Sequence, residues 1–195
     1  IYYANLYRMS DMPKYELEAL AYHEGIPGHH MQRAIAQELD SVPKFRRFGG
    51  YTAYTEGWGL YTELLPKEIG LYQNPYSDFG RLAMELWRAC RLVVDTGIHT
   101  KQWTRQQAID YLTDNTPNTR TAVEKAIERY IVMPSQATAY KIGMMKILQL
   151  RDKAKAELGD KFDIRQFHDT LLKNGAVPLD VLEQLVDEYI AANKA

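Results

Sequence analysis

Pro27 interrupts a run that otherwise reads as continuous helix, and any fold of this chain must accommodate that break. A proline has no N–H for the carbonyl four residues back, and its ring clashes with that carbonyl. Here the carbonyl belongs to His23, and Gly25 and Gly28 flank the proline. Glycine admits the dihedral angles a chain reversal needs. The pattern therefore predicts a helix opened by Pro13, with Leu17, Leu20 and Ala21 at core spacing, then a turn, then a second helix from about His29.

The break sits inside a chemically unusual stretch, His23-Glu24-Gly25-Ile26-Pro27-Gly28-His29-His30, which holds three of the chain's five histidines. Zinc accepts neutral imidazole and carboxylate, and its catalytic sites use three protein ligands with one position left for water. The usual H-E-x-x-H arrangement places two histidines on one helix face. That spacing is absent here. On a straight helix, six residues advance ~9 Å along the axis and ~120° around it. Imidazoles so placed cannot share an ion at bonds of ~2.0–2.1 Å. A metal site requires the helix to fold back, and Pro27 with its glycines supplies the means. Read as a two-residue insertion in H-E-x-x-H, Pro-Gly makes His23 and His29 the metal pair, with His30 as the alternative second ligand and otherwise a substrate contact.

A third ligand must come from elsewhere, and Glu56 in TEGWGLYTE is the best candidate. It lies among aromatic and apolar residues, beside Gly57 and Gly59, which let a neighbouring helix approach. Glu63, seven residues on and on the same face, reads as an exposed surface acid, with support of a metal ligand as the alternative.

Beyond these segments the sequence reads as a mainly α, multi-helix array over residues 1–195, one domain, with at most a short aromatic strand at residues 1–7. Helices are expected over 51–65, ending before Pro66, and from Ser77 to about His99. Thr104 and Gln107 form a capping box for the next helix. Ser135 is expected to cap a long helix to about Leu158, Asp163 and Gln166 to form a second capping box, and Gly175 to end that helix. Pro178 opens the last one. A net charge of −1 gives no bulk attraction for nucleic acid, and no apolar run is long enough to span a bilayer. The single cysteine, Cys90, excludes an internal disulfide and a thiolate zinc site, and reads as a small core residue. His168 has surface-like neighbours and reads as solvated.

The stretches HEGIPGHHMQ, FGGYTAYTEGWGLYTE, RACRLVVDTGIH and AYKIG together resemble the bacterial DUF885 family, over nearly the whole chain from Tyr15 onward. That family is similar to the gluzincin metallopeptidases, in which two histidines and a glutamate hold zinc. The resemblance implies a helical metallopeptidase architecture, a Zn2+ cofactor on His23, His29 and Glu56, and Glu24 as general base. Its members are much longer, and a chain starting at Ile1 is expected to be their C-terminal part, with the missing N-terminal part as a partner of the cleft. In related helical peptidases a Tyr or His stabilises the oxyanion; Tyr140 and His99 are the candidates, although His99 near a helix end also suits the macrodipole. Arg88 and Arg91 are candidates to grip a substrate carboxylate, although such arginines are more often members of structural ion pairs. Peptide-bond hydrolysis is the expected activity. The alternatives are an amidohydrolase of non-peptide amides and a non-catalytic helical binding module. Bacterial origin leaves the compartment open between periplasm and cytoplasm.

Overall fold

The computed structural model describes residues 8–194; the strand expected at residues 1–7 lies outside them. Among the described residues there is no strand, and the architecture is an array of ten α-helices joined by short loops and 3-10 turns. No helix is long and apolar enough to cross a membrane.

The first helix, α1 (Leu17–Glu24), follows a 3-10 turn after Pro13 and ends one residue before Gly25. A loop containing a cis Ile26–Pro27 peptide separates it from α2 (His29–Glu38). After the short α3 (Lys44–Phe48) comes α4 (Thr52–Glu68), which runs through Pro66 rather than stopping before it. Pro66 is buried, and packing outweighs the one hydrogen bond its missing N–H forfeits.

Asn74 opens α5 (Pro75–Lys101) by accepting from the Tyr76 N–H, with Pro75 in the first turn. Its neighbours are α6 (Arg105–Asn115) and α7 (Arg120–Val132). The Thr104–Gln107 capping box is present with both halves. The long α8 (Gln136–Leu158) begins at Ser135, but the serine hydroxyl caps nothing. Ser135 instead takes a left-handed conformation, and its N–H donates to Asp95 Oδ1. Asp163 caps α9 (Ile164–Leu172) from its side chain alone, and Gly175 follows with φ of 68°. The last helix is α10 (Leu179–Lys194).

Two large apolar clusters and a small third, Ala19, Tyr72 and Met84, hold the described residues together. In the largest, Tyr54, Trp58 and Tyr61 of α4 meet Met144, Ile147 and Leu150 of α8, with Phe167 and Leu171 of α9 and Leu182 and Val186 of α10 closing over them. The second joins α5, α6 and α7 around Val94, Ile109, Leu112 and Ile127, and Cys90 is one of its buried members. Each fully buried large apolar side chain contributes about 1.5–3 kcal/mol. The close approach of α4 to α8 depends on Gly57 facing Gly143: a Cβ on Gly143 would stand 1.9 Å from the Ala53 carbonyl oxygen and 2.6 Å from Gly57 Cα. That contact sets the position of α4, and with it Glu56.

Candidate metal centre

The break at Pro27 does what the spacing demands. His23 closes α1 and His29 opens α2, and their rings lie 4.6 Å apart, centroid to centroid, nearly perpendicular. From α4, Glu56 reaches both: its Oε2 is 3.6 Å from His23 Nε2 and 3.2 Å from His29 Nε2. Donor atoms around a tetrahedral ion with bonds of ~2.0–2.1 Å lie ~3.4 Å from one another, which matches these separations.

The remaining ring nitrogens are engaged by acceptors. His23 Nδ1–H donates to Glu63 Oε1 at 2.7 Å, and His29 Nδ1–H donates to Gln32 Oε1 at 3.3 Å. An acceptor at each Nδ1 fixes the ring so that Nε2 faces Glu56, to which it donates when protonated and beside which its lone pair can ligate a metal when it is not, the usual way outer partners orient an imidazole ligand. Glu63 is therefore not a surface acid: it is 1% exposed and stands directly behind His23. Its wall is reinforced by Arg88 Nη2 at 3.5 Å and by Tyr72, whose hydroxyl donates to the Glu63 carbonyl.

The charge balance also suits a cation. Burial acts to raise the Glu56 pKa, but hydrogen bonds with His23 and His29 outweigh it and hold the carboxyl well below the usual range. Burial acts to lower the His23 pKa, and its bonds to Glu56 and Glu63 outweigh that, so it is raised. Glu63 has Arg88 for a counter-charge, whereas the partners of Glu56 within ion-pair distance, among the described residues, are the two imidazoles. Gly59 makes room for them. A Cβ there would lie 2.7 Å from the His23 ring and 2.8 Å from the His29 ring. The donor set of two nitrogens and one carboxylate oxygen, all within 4.8 Å, fits Zn2+.

The centre opens on a cleft of about 1030 Å3. Glu24 and His30, both exposed, line it with the three donors, and so does Tyr140 from α8. The Tyr140 ring stacks on His23 with centroids 6.2 Å apart. Its hydroxyl accepts a hydrogen bond from Gln136 Nε2 at 3.0 Å, and the Arg91 guanidinium lies 4.2 Å from its ring centre.

Three residues singled out from the sequence are placed elsewhere. Arg88 and Arg91 are 8% and 7% exposed and do not line the cleft. Arg88 donates to the Met84 carbonyl and pairs with Glu63; Arg91 donates to Gln136 and flanks Tyr130 and Tyr140. They brace the wall behind Tyr140 and Glu63. His99 donates from Nε2 to the Tyr130 carbonyl at 2.9 Å and ties α5 to α7, away from the cleft. His168 is not free in solvent either. Its Nε2 accepts from the Tyr61 hydroxyl at 2.9 Å, that oxygen accepts from Arg151, and Arg151 pairs with Glu68. Gln32 and Gln136 escaped sequence reading, since an amide carries no pattern of its own; Gln32 three residues after His29 was the available signal.

The sequence profile of the family described as "Bacterial protein of unknown function (DUF885)" matches residues 1–186. Among solved structures, one from Colwellia psychrerythraea shares 51% identity over 96% of this chain with a TM-score of 0.94. Another, from Shewanella oneidensis, shares 30% identity over 90% of this chain with a TM-score of 0.83. Both carry the description "putative lipoprotein", the second also "of unknown function". The chain spans 32% of the length of each. No curated protein matches it.

Proposed function

The chain belongs to the DUF885 family of bacterial proteins, and from that premise we propose that it is the zinc-bearing part of a metallopeptidase that hydrolyses peptide bonds. One observation carries the reading. The Nε2 atoms of His23 and His29 and the Oε2 of Glu56 converge on one spot in the cleft wall, each imidazole backed by its own acceptor, with the carboxylate Glu24 beside them.

A zinc ion held by these three residues supplies a Lewis acid that lowers the pKa of water and polarises a carbonyl. The remaining work falls to the chain. Glu24 follows a ligand in sequence but faces the open cleft, so its carboxylate is free to take the proton of the attacking water. The same carboxyl then returns that proton to the departing amine. Tyr140 is the candidate oxyanion donor. Because Gln136 donates to its oxygen, the phenolic hydrogen is left to point into the cleft. His30, which lines the same cleft, would hydrogen-bond a substrate backbone.

Glu24→Gln in the full-length protein tests this. Zinc measured by elemental analysis should stay at the wild-type level, while peptide hydrolysis falls about 10²- to 10⁴-fold. Wild-type protein without zinc, or unchanged hydrolysis in Glu24→Gln, defeats the reading. Cleavage of small non-peptide amides but of no peptide would turn it into an amidohydrolase.

A further inference from the structure

We propose that the metal cleft has a side chamber that binds a carboxylate, built by Arg33, Arg46 and Gln32. Arg33 and Thr55 line both the cleft and a smaller cavity behind it, into which α3 brings Arg46 and Arg47. No acidic residue lines this cavity. Arg47 is neutralised by Asp40. Arg33 and Arg46 have no acid within ion-pair distance among the described residues, and Arg33 is exposed.

The floor of the chamber is a set of unused donors. Gln32 is 4% exposed. Its Oε1 accepts from His29 Nδ1, which turns Nε2 the other way, and there Nε2 has no hydrogen-bond partner. The Tyr54 oxygen, whose own proton goes to the Leu171 carbonyl at 2.9 Å, can accept one of the two amide hydrogens, and the other is left for the chamber. The Nε of Arg46 is likewise buried without a partner. Buried donors normally have acceptors, and two guanidinium groups with an amide N–H call for an anion with more than one oxygen. The space open to the centre of a water-sized group is about 20 Å3, the scale of a small polar head and not of a larger body.

The link between the cleft and the chamber is Arg33, which lines both. Arg33 lies four residues after His29 on the same face of α2, a rise of ~6 Å. That equals one or two residues of extended peptide at ~3.3–3.6 Å each. A peptide cleaved at the metal would therefore set its terminal carboxylate against Arg33 when only one or two residues follow the scissile bond. This version of the ligand rests on the peptidase reading. A free carboxylate would use the same groups without it.

Calorimetric titration of full-length Glu24→Gln protein, which needs no turnover, tests the proposal with three probes: sodium acetate, acetyl-tetraalanine and the C-terminal amide of that peptide. Arg33→Gln and Arg46→Gln are made in the same background. Acetate should bind saturably and about tenfold or more weakly in each variant. A peptide acid bound at least tenfold more tightly than its amide, with the preference lost in Arg33→Gln, identifies the peptide end as the ligand. Equal affinity for acid and amide, with acetate still sensitive to the variants, identifies a free carboxylate. The proposal is overturned when neither variant changes any of the three affinities. Arg33 is exposed, so Arg33→Gln keeps the fold and decides alone if Arg46→Gln does not fold. A protein that shows this binding but cleaves no peptide keeps the chamber and loses the peptidase.

Discussion

Glu63 Oε1 lies 2.7 Å from His23 Nδ1, inside the protein and on the side of the imidazole opposite Glu56. A carboxylate in that place fixes the ring and raises the basicity of the opposite nitrogen. Glu63→Gln should retain the fold and weaken zinc binding about 10- to 100-fold, as measured by competition with a chromophoric chelator. Affinity equal to wild type would reduce Glu63 to a counter-ion for Arg88.

The two histidines after the break separate cleanly by substitution. His29→Ala should remove stoichiometric zinc, because its Nε2 faces Glu56 at 3.2 Å. His30→Ala should keep it, because His30 is exposed on the cleft wall and is not one of the three convergent donors. Elemental analysis of both variants reads the result directly, and the reverse pattern moves the ligand by one residue.

Gly143→Ala bears on the fold more than on the chemistry. The added carbon would meet the Ala53 carbonyl oxygen at 1.9 Å, which backbone cannot tolerate without moving. Overpacking of this kind costs about 1–3 kcal/mol. At about 2–4 °C per kcal/mol for a chain of this size, the melting temperature should fall by several degrees. Zinc affinity should fall as well, since Glu56 adjoins the displaced Gly57. An unchanged melting curve would mean that α4 and α8 separate freely.

His168 gives a dependence on pH. Burial first, and the nearby Arg151 second, lower its pKa from near 6.5 to about 4. The unfolded chain then takes up a proton that the folded one refuses, so stability is full above about pH 6.5 and declines as pH falls toward 4. The loss is about 1–3 kcal/mol after allowance for partial exposure. Urea midpoints of wild type and His168→Gln should converge as the pH drops through that window. Parallel curves would show that the bond to Tyr61 leaves the imidazole free to titrate normally.

What the sequence made legible was local. The break at Pro27 and the cluster of histidines around it lie within eight residues, and Pro27 with its flanking glycines permits the reversal that brings His23 toward His29. Glu56 could be singled out because the flanking glycines signal close packing, and Gly57 does meet Gly143 while Gly59 faces the imidazoles. Misreadings arose where distant segments decide. Glu63 and His168 have surface-like neighbours in sequence, but α1 covers one and the Tyr61–Arg151 pair engages the other. Arg88 and Arg91 suit either a substrate carboxylate or a structural ion pair in sequence, and only the fold shows Arg88 beside Glu63 and Arg91 beside Tyr140 and Gln136. Pro66 marks a helix end only while its burial is unknown.

Two turns of α4 carry Glu56, Gly57, Gly59 and Glu63, so one rigid rod dictates the reach of an acid toward both imidazoles, the spacing to α8 and the support behind His23. Inserting or deleting a single residue between Glu56 and Glu63 would swing one end by ~100° relative to the other. Loops that position none of these side chains can therefore change length, whereas within this rod length is frozen and only exchanges of side chain remain open.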